Sequence, residues 1–326
     1  MIRIATRSMF SIAAASMALG SMAQDGLPYP TRPIRVIAPA VVGSPPDVVA
    51  RLVGEKLANE FKYPIVVDNR PGASGVLGLE ALAKAPPDGY TLGAVGMVFM
   101  AVTPRLLPSL RFDTARDFTP ITIIAWNYNV LVVPANSNVN DISQLISVAK
   151  ARPGQLRYSS GGSGTPAHLG AELLKREAGI DLRHIPYKGG PAAALALLTG
   201  DAEVMIGAVG AVSPSVKGGK LRALATSAPK RIKAFPELPT FVAAGYPRVV
   251  VRDWQAFIAP TGTSPVVLER LNVAFLKAIA APDVRGRLEL LGMEPAELGL
   301  QHAAAQMRAD MQDWARLIDE LGIKAD

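Results

Sequence analysis

Short runs of β-branched and apolar residues alternate with helical stretches from Pro33 onward, and this alternation constrains the fold more than any other feature of the chain. It is typical of an α/β fold whose sheets are largely parallel. No internal repeat of fixed period is visible, which excludes solenoid and propeller folds. We predict strands at 34–38, 65–68, 90–94, 130–133, 156–159, 183–186, 204–206, 223–226 and 254–259.

The segments between these strands carry helical signals. Segment 47–61 has apolar residues at i, i+3, i+4 spacing. Segment 142–150 is preceded by Asp141 as a predicted N-cap and followed by 152–154, Arg-Pro-Gly, which cannot continue a helix. After the last predicted strand the chain is almost entirely helical, and we expect these helices to pack on the sheet of the first domain. They are predicted at 266–280, 284–291 and 303–321.

The first 23 residues have the pattern of a secretory signal peptide. Arg3 and Arg7 precede an apolar stretch, and small residues flank the predicted cleavage position after Ala23. A membrane anchor is the alternative interpretation, but the apolar run is shorter than the roughly 20 residues that a spanning helix needs. We therefore expect a periplasmic protein and exclude residues 1–23 from the fold prediction.

The length of the mature chain predicts two domains, because about 300 residues exceed what a single core usually organises. A strand-like segment within 117–133 could cross from one domain to the other, and 236–251, rich in Pro and Gly, could cross back. Two crossings form a hinge. We predict a first domain of 24–129 plus 252–326 and a second domain of 130–251.

Composition excludes several classes of function. The chain has no cysteine, which excludes disulfides, thiol catalysis and thiolate metal sites. Its formal net charge of +7 attracts anions in general. The longest basic cluster, 230–233, is short and lacks interleaved aromatic residues, so a solvated loop is favoured over a nucleic-acid site. His168, His184 and His302 are far apart, so we expect no metal, and we expect no cofactor.

The turn at 39–47, after the first strand, is one candidate site. Ligands of open α/β sheets lie outside the carboxyl ends of strands. Gly43 allows close approach of the backbone, Ser44 or Asp47 can cap the following helix, and the unpaired N–H groups of that helix can bind an anion. The alternative is an ordinary capped turn between a strand and a helix.

The segment 158–169 is the second candidate site and the most informative stretch of the chain. Its glycines and hydroxyl residues lie between a predicted strand and a helix, where they supply N–H and O–H donors to a carboxylate or phosphate. His168 is predicted either to face the cleft or to satisfy the backbone of the loop. His184 lies in a strand, where a hydrogen-bonded core histidine is favoured over a ligand contact.

Two other interpretations of this loop are weaker. Gly162, Gly164 and Ala167 formally match a dinucleotide fingerprint, but Asp181 precedes its strand, whereas the fingerprint needs an acidic residue at the strand's end. No G-x-S-x-G elbow is present, so Ser163 is predicted to be a donor and not a nucleophile.

Ordered motifs along the mature chain resemble those of the extracytoplasmic receptors of tripartite tricarboxylate transporters, also called Bug receptors. The motifs are YPTRPIR at 29–35, VDNRPGA at 67–73, APPDGYTL at 85–92, RDF at 116–118, SGGSGTPAHL at 160–169, HIPYKG at 184–189 and GKLRAL at 219–224. The resemblance implies a type II periplasmic-binding-protein fold, in which two α/β domains close on a carboxylate without catalysis. It also implies membrane transporter subunits as partners, and we expect a monomer that binds no nucleic acid.

Carried over by position, the resemblance places ligand donors in 41–47, after the third strand and in 160–168, and the family usually has polar residues after the strand that ends at Ile206. The predicted ligand-binding residues are Val41, Val42, Gly43, Ser44, Asp47, Gly96, Met97, Ser160, Gly162, Ser163, Gly164, Thr165, His168, Gly207 and Ala208.

Two departures from the family pattern concern this pocket. The first loop has one glycine and two prolines, so it should be stiffer and more apolar than the usual family loop. Gly207 and Ala208 stand where many relatives have an acidic and an amide residue. We therefore predict a carboxylate with an apolar or aromatic body, and not an amino acid such as aspartate. The alternatives are a sensory binding protein, or a secreted enzyme that uses Ser163 or His168 with Lys188.

Overall fold

The computed structural model describes residues 29–107 and 109–324, and the predicted signal peptide lies outside them. Each predicted strand is present within two residues of its predicted ends, and the crossing segment consists of β4 and β5, joined at Tyr128. The strands are β1 Ile34–Ala38, β2 Ile65–Asn69, β3 Thr91–Gly96, β4 Phe118–Asn127, β5 Asn129–Pro134, β6 Arg157–Ser160, β7 Arg183–Pro186, β8 Val204–Ala208, β9 Leu221–Thr226, β10 Asp253–Pro260 and β11 Met293–Pro295.

Helices cover both sheets. They are α1 Pro45–Phe61, α2 Val76–Ala83, α3 Thr103–Leu106, α4 Ile142–Ala151, α5 Pro166–Ala178, α6 Gly190–Thr199, α7 Val209–Lys217, α8 Pro265–Ala280, α9 Pro282–Leu290 and α10 Leu300–Leu321, with a π-helical turn at Val98–Val102 before α3. The predicted cap of α4 is confirmed, because a side-chain oxygen of Asp141 accepts a hydrogen bond from the Gln144 N–H at 2.8 Å. No helix within 29–107 and 109–324 is long and apolar enough to cross a membrane.

The strands form two mixed sheets, each with its own helices. The first sheet has the order β11-β4-β10-β3-β1-β2 and belongs to lobe 1, together with α1 to α3 and α8 to α10. The second has the order β7-β6-β8-β5-β9 and belongs to lobe 2, together with α4 to α7. The chain passes between the lobes at Tyr128 and again between β9 and β10.

The expectation of largely parallel sheets is wrong. Strands β1, β2 and β3 are parallel, as are β6, β7 and β8, but β10 lies antiparallel to both β3 and β4, and β5 lies antiparallel to both β8 and β9. β5 and β10 are the strands that follow the passages between the lobes, so each enters its sheet from the other lobe and not from a local crossover helix. Their direction is therefore set by the path of the chain between the lobes.

Three hydrophobic clusters hold this architecture together. One lies between the first sheet and helices α1, α8 and α9, where the rings of Phe257 and Phe275 are 4.2 Å apart between centroids. Another lies between the second sheet and α6 and α7. The third covers the opposite face of the first sheet, where it includes Trp254, and continues into lobe 2, where it includes Leu174. As predicted, the C-terminal helices pack on the first sheet, and α10 also reaches α5 of lobe 2.

Candidate ligand-binding site

A cavity of about 350 Å³ lies between the lobes, at the edge where the parallel strands end. Lobe 1 lines it with Ala40, Ser44, Pro45, Pro46, Gly96, Val98, Phe99, Asn127, Asp253 and Gln255. Lobe 2 lines it with Asn129, Gly161, Thr165, Pro166, Ala167, Gly189, Gly190, Met205 and Ala208. Because the two sheets present the same kind of edge to one space, both lobes can contact one small molecule.

Four helices begin at this cavity. Their N-cap residues are Ser44 of α1, Thr165 of α5, Gly189 of α6 and Ala208 of α7, and all four line it. The N-terminus of a helix favours a bound anion by about 0.3 to 1 kcal/mol when exposed and up to about 2 kcal/mol when partly buried. Among the described lining residues none is Lys or Arg. The arrangement therefore suits an anion held by backbone dipoles and by the Ser44 hydroxyl.

A second cavity, of about 390 Å³, lies between α9 and the loop at 230–234. Two of its cations pair across the lobes, Lys230 at 2.9 Å from Glu294 and Lys233 at 2.7 Å from Glu289, while Arg285 pairs with Glu297 and Arg231 donates to the Pro236 carbonyl. These cations are already paired within the protein, which favours the cavity at the four helix N-termini as the anion site.

The first predicted loop contributes fewer donors than its sequence suggested. Pro45 and Pro46 occupy the first turn of α1 and carry no N–H, and the Gly43 N–H donates to Asp47 Oδ2 at 2.8 Å. Of the predicted residues in this loop, Ser44 lines the cavity, whereas Val41 and Val42 are exposed. This loop presents a stiff, apolar edge to the cavity.

Asp47 has an internal role in this loop. Burial alone would raise the pKa of its carboxyl, but the Gly43 N–H and the Arg51 guanidinium, which donates to Oδ1 at 3.0 Å, hold that pKa below its usual range. Asp47 is therefore a charged anchor that ties the turn to the first two turns of α1.

The glycine-rich loop of lobe 2 is built around its own hydrogen bonds. The Ser160 hydroxyl accepts the Gly162 N–H at 3.2 Å and lies 2.7 Å from His184 Nε2. Thr165 Oγ1 donates to the Gly162 carbonyl at 2.8 Å. The Gly164 N–H donates to His168 Nδ1 at 3.0 Å, so His168 satisfies the backbone of the loop, which is one of its two predicted roles.

Three stacked rings support this loop from below. His168 and His184 lie 4.2 Å apart between centroids and 6° from parallel, and Tyr158 stacks on His184 at 4.7 Å. The Tyr158 hydroxyl donates to Glu172 at 2.6 Å. Of the predicted residues in this loop only Thr165 lines the cavity, while Ser160, Gly162, Ser163, Gly164 and His168 lie outside the lining set. These residues hold the loop in its conformation.

Gly161 lies in the predicted loop, although it is not among the individually predicted residues, and it permits a close approach of the backbone at the cavity. A Cβ atom there would lie 3.1 Å from both the Gly189 carbonyl carbon and the Gly190 nitrogen, which is tighter than ordinary packing allows. The missing side chain therefore lets the start of α6 lie directly against the loop that precedes α5.

Of the remaining predicted residues, two line the cavity and two do not. Gly96 and Ala208 line the cavity. Met97 is fully buried in the core, and Gly207 lies outside the lining set, packed against Met205 and Val212.

The most polar part of the cavity was not predicted. Four polar residues line it at the end of β4, the start of β5 and the start of β10, and each is more than nine-tenths buried. They are Asn127, Asn129, Asp253 and Gln255. Burial raises the pKa of Asp253 to about 7, although the Met97 and Trp254 N–H groups and the Asn127 side chain act in the opposite direction. The available signal was an acid and an amide that interrupt an apolar strand, since a buried strand seldom carries polar residues without a role.

These features define a class of protein: a two-lobed α/β solute-binding protein of the periplasmic-binding-protein type, with a cavity between its sheets. Residues 49–323 match the model of the tripartite tricarboxylate transporter family receptor, and the chain belongs to that family.

Relatives and solved structures agree with this assignment. The chain is 36% identical over 321 residues, 98% of this chain and 95% of the relative, to a UPF0065 protein in the tcbD-tcbE intergenic region of Pseudomonas sp. strain P51. It is 34% identical to protein BugT of Bordetella pertussis, over 91% of each chain. Its structure is similar, with a TM-score of 0.83 and 30% identity, to R. palustris Rpa4515 solved with adipate, covering 92% of this chain and 100% of that one.

Proposed function

We propose that this protein is a periplasmic receptor that captures a small organic carboxylate and delivers it to the membrane subunits of a tripartite tricarboxylate-type transporter. The observation that carries the proposal is the convergence of four helix N-termini on one cavity lined by both lobes. In this proposal the signal peptide is removed after Ala23. The lobes correspond to 24–129 plus 252–326 and to 130–251.

The body of the ligand should be apolar. Val98, Phe99 and Met205 line the cavity beside the helix N-termini, and the two prolines of the first loop add further apolar surface. A carboxylate could therefore accept N–H and O–H hydrogen bonds at one end while its carbon skeleton contacts these side chains. The relative solved with adipate supports a six-carbon chain as a probe of suitable length.

A thermal-shift panel tests this function. We expect hexanoate and benzoate to stabilise the protein, by about 2.7 kcal/mol when present at 100 times the dissociation constant, and aspartate and glutamate to have little effect. The matched controls are hexanamide and benzamide, which keep the carbon skeleton but lack the charge and should not stabilise. Stabilisation by aspartate or glutamate but by neither apolar carboxylate would contradict the proposed ligand class.

The lobes should close on the ligand. The loop before α5 already lies against lobe 1, because a Cβ atom at Gly164 would be 2.7 Å from Val102 Cγ1 and 2.8 Å from Leu106 Cδ1. A carboxylate that contacts both lobes favours the closed state, since those contacts exist only there. We expect small-angle scattering to show a smaller radius of gyration with hexanoate than with hexanamide. An unchanged radius at saturating carboxylate would argue against closure.

An enzyme that uses Ser163 or His168 with Lys188 is the competing function. His168 is buried beneath the loop, whereas Lys188 is exposed, so the structure offers little support for their joint action. Mass spectrometry of the ligand after incubation separates the two functions, because a receptor returns its ligand unaltered.

A further inference from the structure

Two buried polar side chains of β10 form the floor of the cavity on the lobe 1 side. Asp253 is 9% exposed and Gln255 is 2% exposed, and both line the cavity. Alternation along the strand places them on the same face as Phe257, which belongs to the hydrophobic core beneath. An acid and an amide thus stand at the cavity end of a strand face that is otherwise apolar.

The hydrogen bonds of this pair leave an acceptor unused. The Met97 N–H donates to Asp253 Oδ1 at 3.2 Å, and Gln255 Nε2 donates to Asp253 Oδ2 at 3.3 Å. That second bond orients the amide, so Gln255 Oε1 points away from the carboxyl. This oxygen is buried and has no hydrogen-bond partner among the described residues. A buried acceptor without a partner is unfavourable, and a ligand that donates a hydrogen bond to it can recover that free energy.

No cation compensates Asp253 within the described part of the chain. The groups that face it are the Asn127 side chain from β4, the Gln255 amide and the Trp254 N–H from β10, and the Met97 N–H after β3. The neighbouring Arg252 is directed elsewhere, with its guanidinium over the Trp126 ring and 4.0 Å from Asp310. Once ionised, Asp253 is therefore a negative charge held against the cavity.

We propose that Asp253 and Gln255 form an acceptor subsite. It takes a hydrogen-bond donor of the ligand, a hydroxyl or an ammonium group remote from the carboxylate, and it disfavours a second carboxylate. This inference rests on the proposed function, because the carboxylate itself is assigned to the helix N-termini. Ala208 lines the cavity after β8 without a polar side chain, and the acid and amide of the subsite come from β10 of lobe 1.

Isothermal titration calorimetry with four six-carbon ligands tests the subsite. At pH 8 we expect 6-hydroxyhexanoate and 6-aminohexanoate to bind about tenfold more tightly than hexanoate, because each makes one additional buried hydrogen bond. Adipate should bind about tenfold more weakly than hexanoate, because its second carboxylate faces an ionised Asp253.

Lowering the pH should bring the affinity for adipate closer to the affinity for hexanoate. Since burial raises the pKa of Asp253 to about 7, most molecules carry a proton there at pH 6, and adipate should then bind within about threefold of hexanoate.

The pH dependence of stability tests the same group without a ligand. The folded protein keeps this proton to higher pH than the unfolded chain, so wild-type stability should fall between about pH 4 and pH 7 more than that of Asp253→Asn.

Variants identify the groups responsible. Asp253→Asn should make adipate and hexanoate equal at both pH values and remove most of the advantage of 6-aminohexanoate. Gln255→Leu, which keeps the acid, should remove the advantage of 6-hydroxyhexanoate. The matched control is Asp310→Asn, because Asp310 is also a buried acid with a raised pKa but does not line the cavity, and it should leave the order of the four ligands unchanged.

The outcomes separate this inference from the function on which it rests. Binding of hexanoate together with adipate at least as tight as hexanoate at pH 8 would overturn the subsite alone. An unchanged ligand order in Asp253→Asn would do the same. Failure of all four carboxylates to bind would contradict the proposed function, and this inference with it.

Discussion

Replacing Ala208 with tryptophan should lower the affinity for the captured carboxylate at least about 100-fold, or about 2.7 kcal/mol. Ala208 ends β8, precedes α7 and lines the cavity. Its backbone angles, φ −54° and ψ 138°, suit any residue, so the strand and the helix should still form. The indole would occupy space that the ligand needs and would stand between the helix N-termini of lobe 2. Calorimetric titration with the carboxylate that stabilises the wild-type protein measures the loss.

The control for this variant is Ala115→Trp. Ala115 is exposed in a loop of lobe 1 outside the cavity, so the same substitution there should leave both affinity and melting temperature close to wild type. If Ala208→Trp bound the ligand as tightly as Ala115→Trp while both were folded, the ligand would have to lie somewhere other than this cavity.

Truncating Phe257 to alanine should destabilise the protein by about 3 to 5 kcal/mol, because it removes a large buried ring and leaves a cavity that the core can only partly fill. Phe257 is 1% exposed in β10, and its ring lies 4.2 Å from that of Phe275 in α8. The same strand carries Asp253 and Gln255 at the floor of the ligand cavity. Denaturation in urea, followed by far-UV circular dichroism, measures the free energy of unfolding.

Val266→Ala is the matched control for this truncation. Val266 lies in α8, the helix that carries Phe275, but its side chain is 62% exposed, so its truncation should change stability by no more than about 0.5 kcal/mol. A cost below about 1 kcal/mol for Phe257→Ala would show that α8 does not depend on this contact for its packing on the first sheet.

Local sequence patterns predicted the elements of the fold well. The run at 34–38 is β1, and Asp141 caps α4 as expected, because strand patterning and helix capping depend on neighbours a few residues apart. The sheet direction could not be obtained in this way. Whether β5 and β10 lie parallel or antiparallel depends on where the chain enters each sheet after passing between the lobes, and that is a property of the whole path.

The candidate site shows the same division at the level of side chains. The sequence located two loops that border the cavity, at 41–47 and 160–168, since glycine, proline and hydroxyl residues between a strand and a helix indicate a turn at the strand's end. It did not show which groups face the ligand. Ser160 and His168 bond to backbone groups of their own loop, whereas Asp253 faces the cavity from the first position of β10, just outside the strand predicted at 254–259.

The sequence by itself determined the α/β architecture of this protein, its family and the approximate course of the loops that border the cavity, because these follow from periodicity, turn chemistry and ordered motifs along the chain. Only the tertiary structure decided that four helix N-termini meet at one cavity and that a buried acid and amide form its floor. The reason is physical: burial and convergence depend on distances between residues far apart in sequence, and those distances exist only when both lobes have folded and packed together.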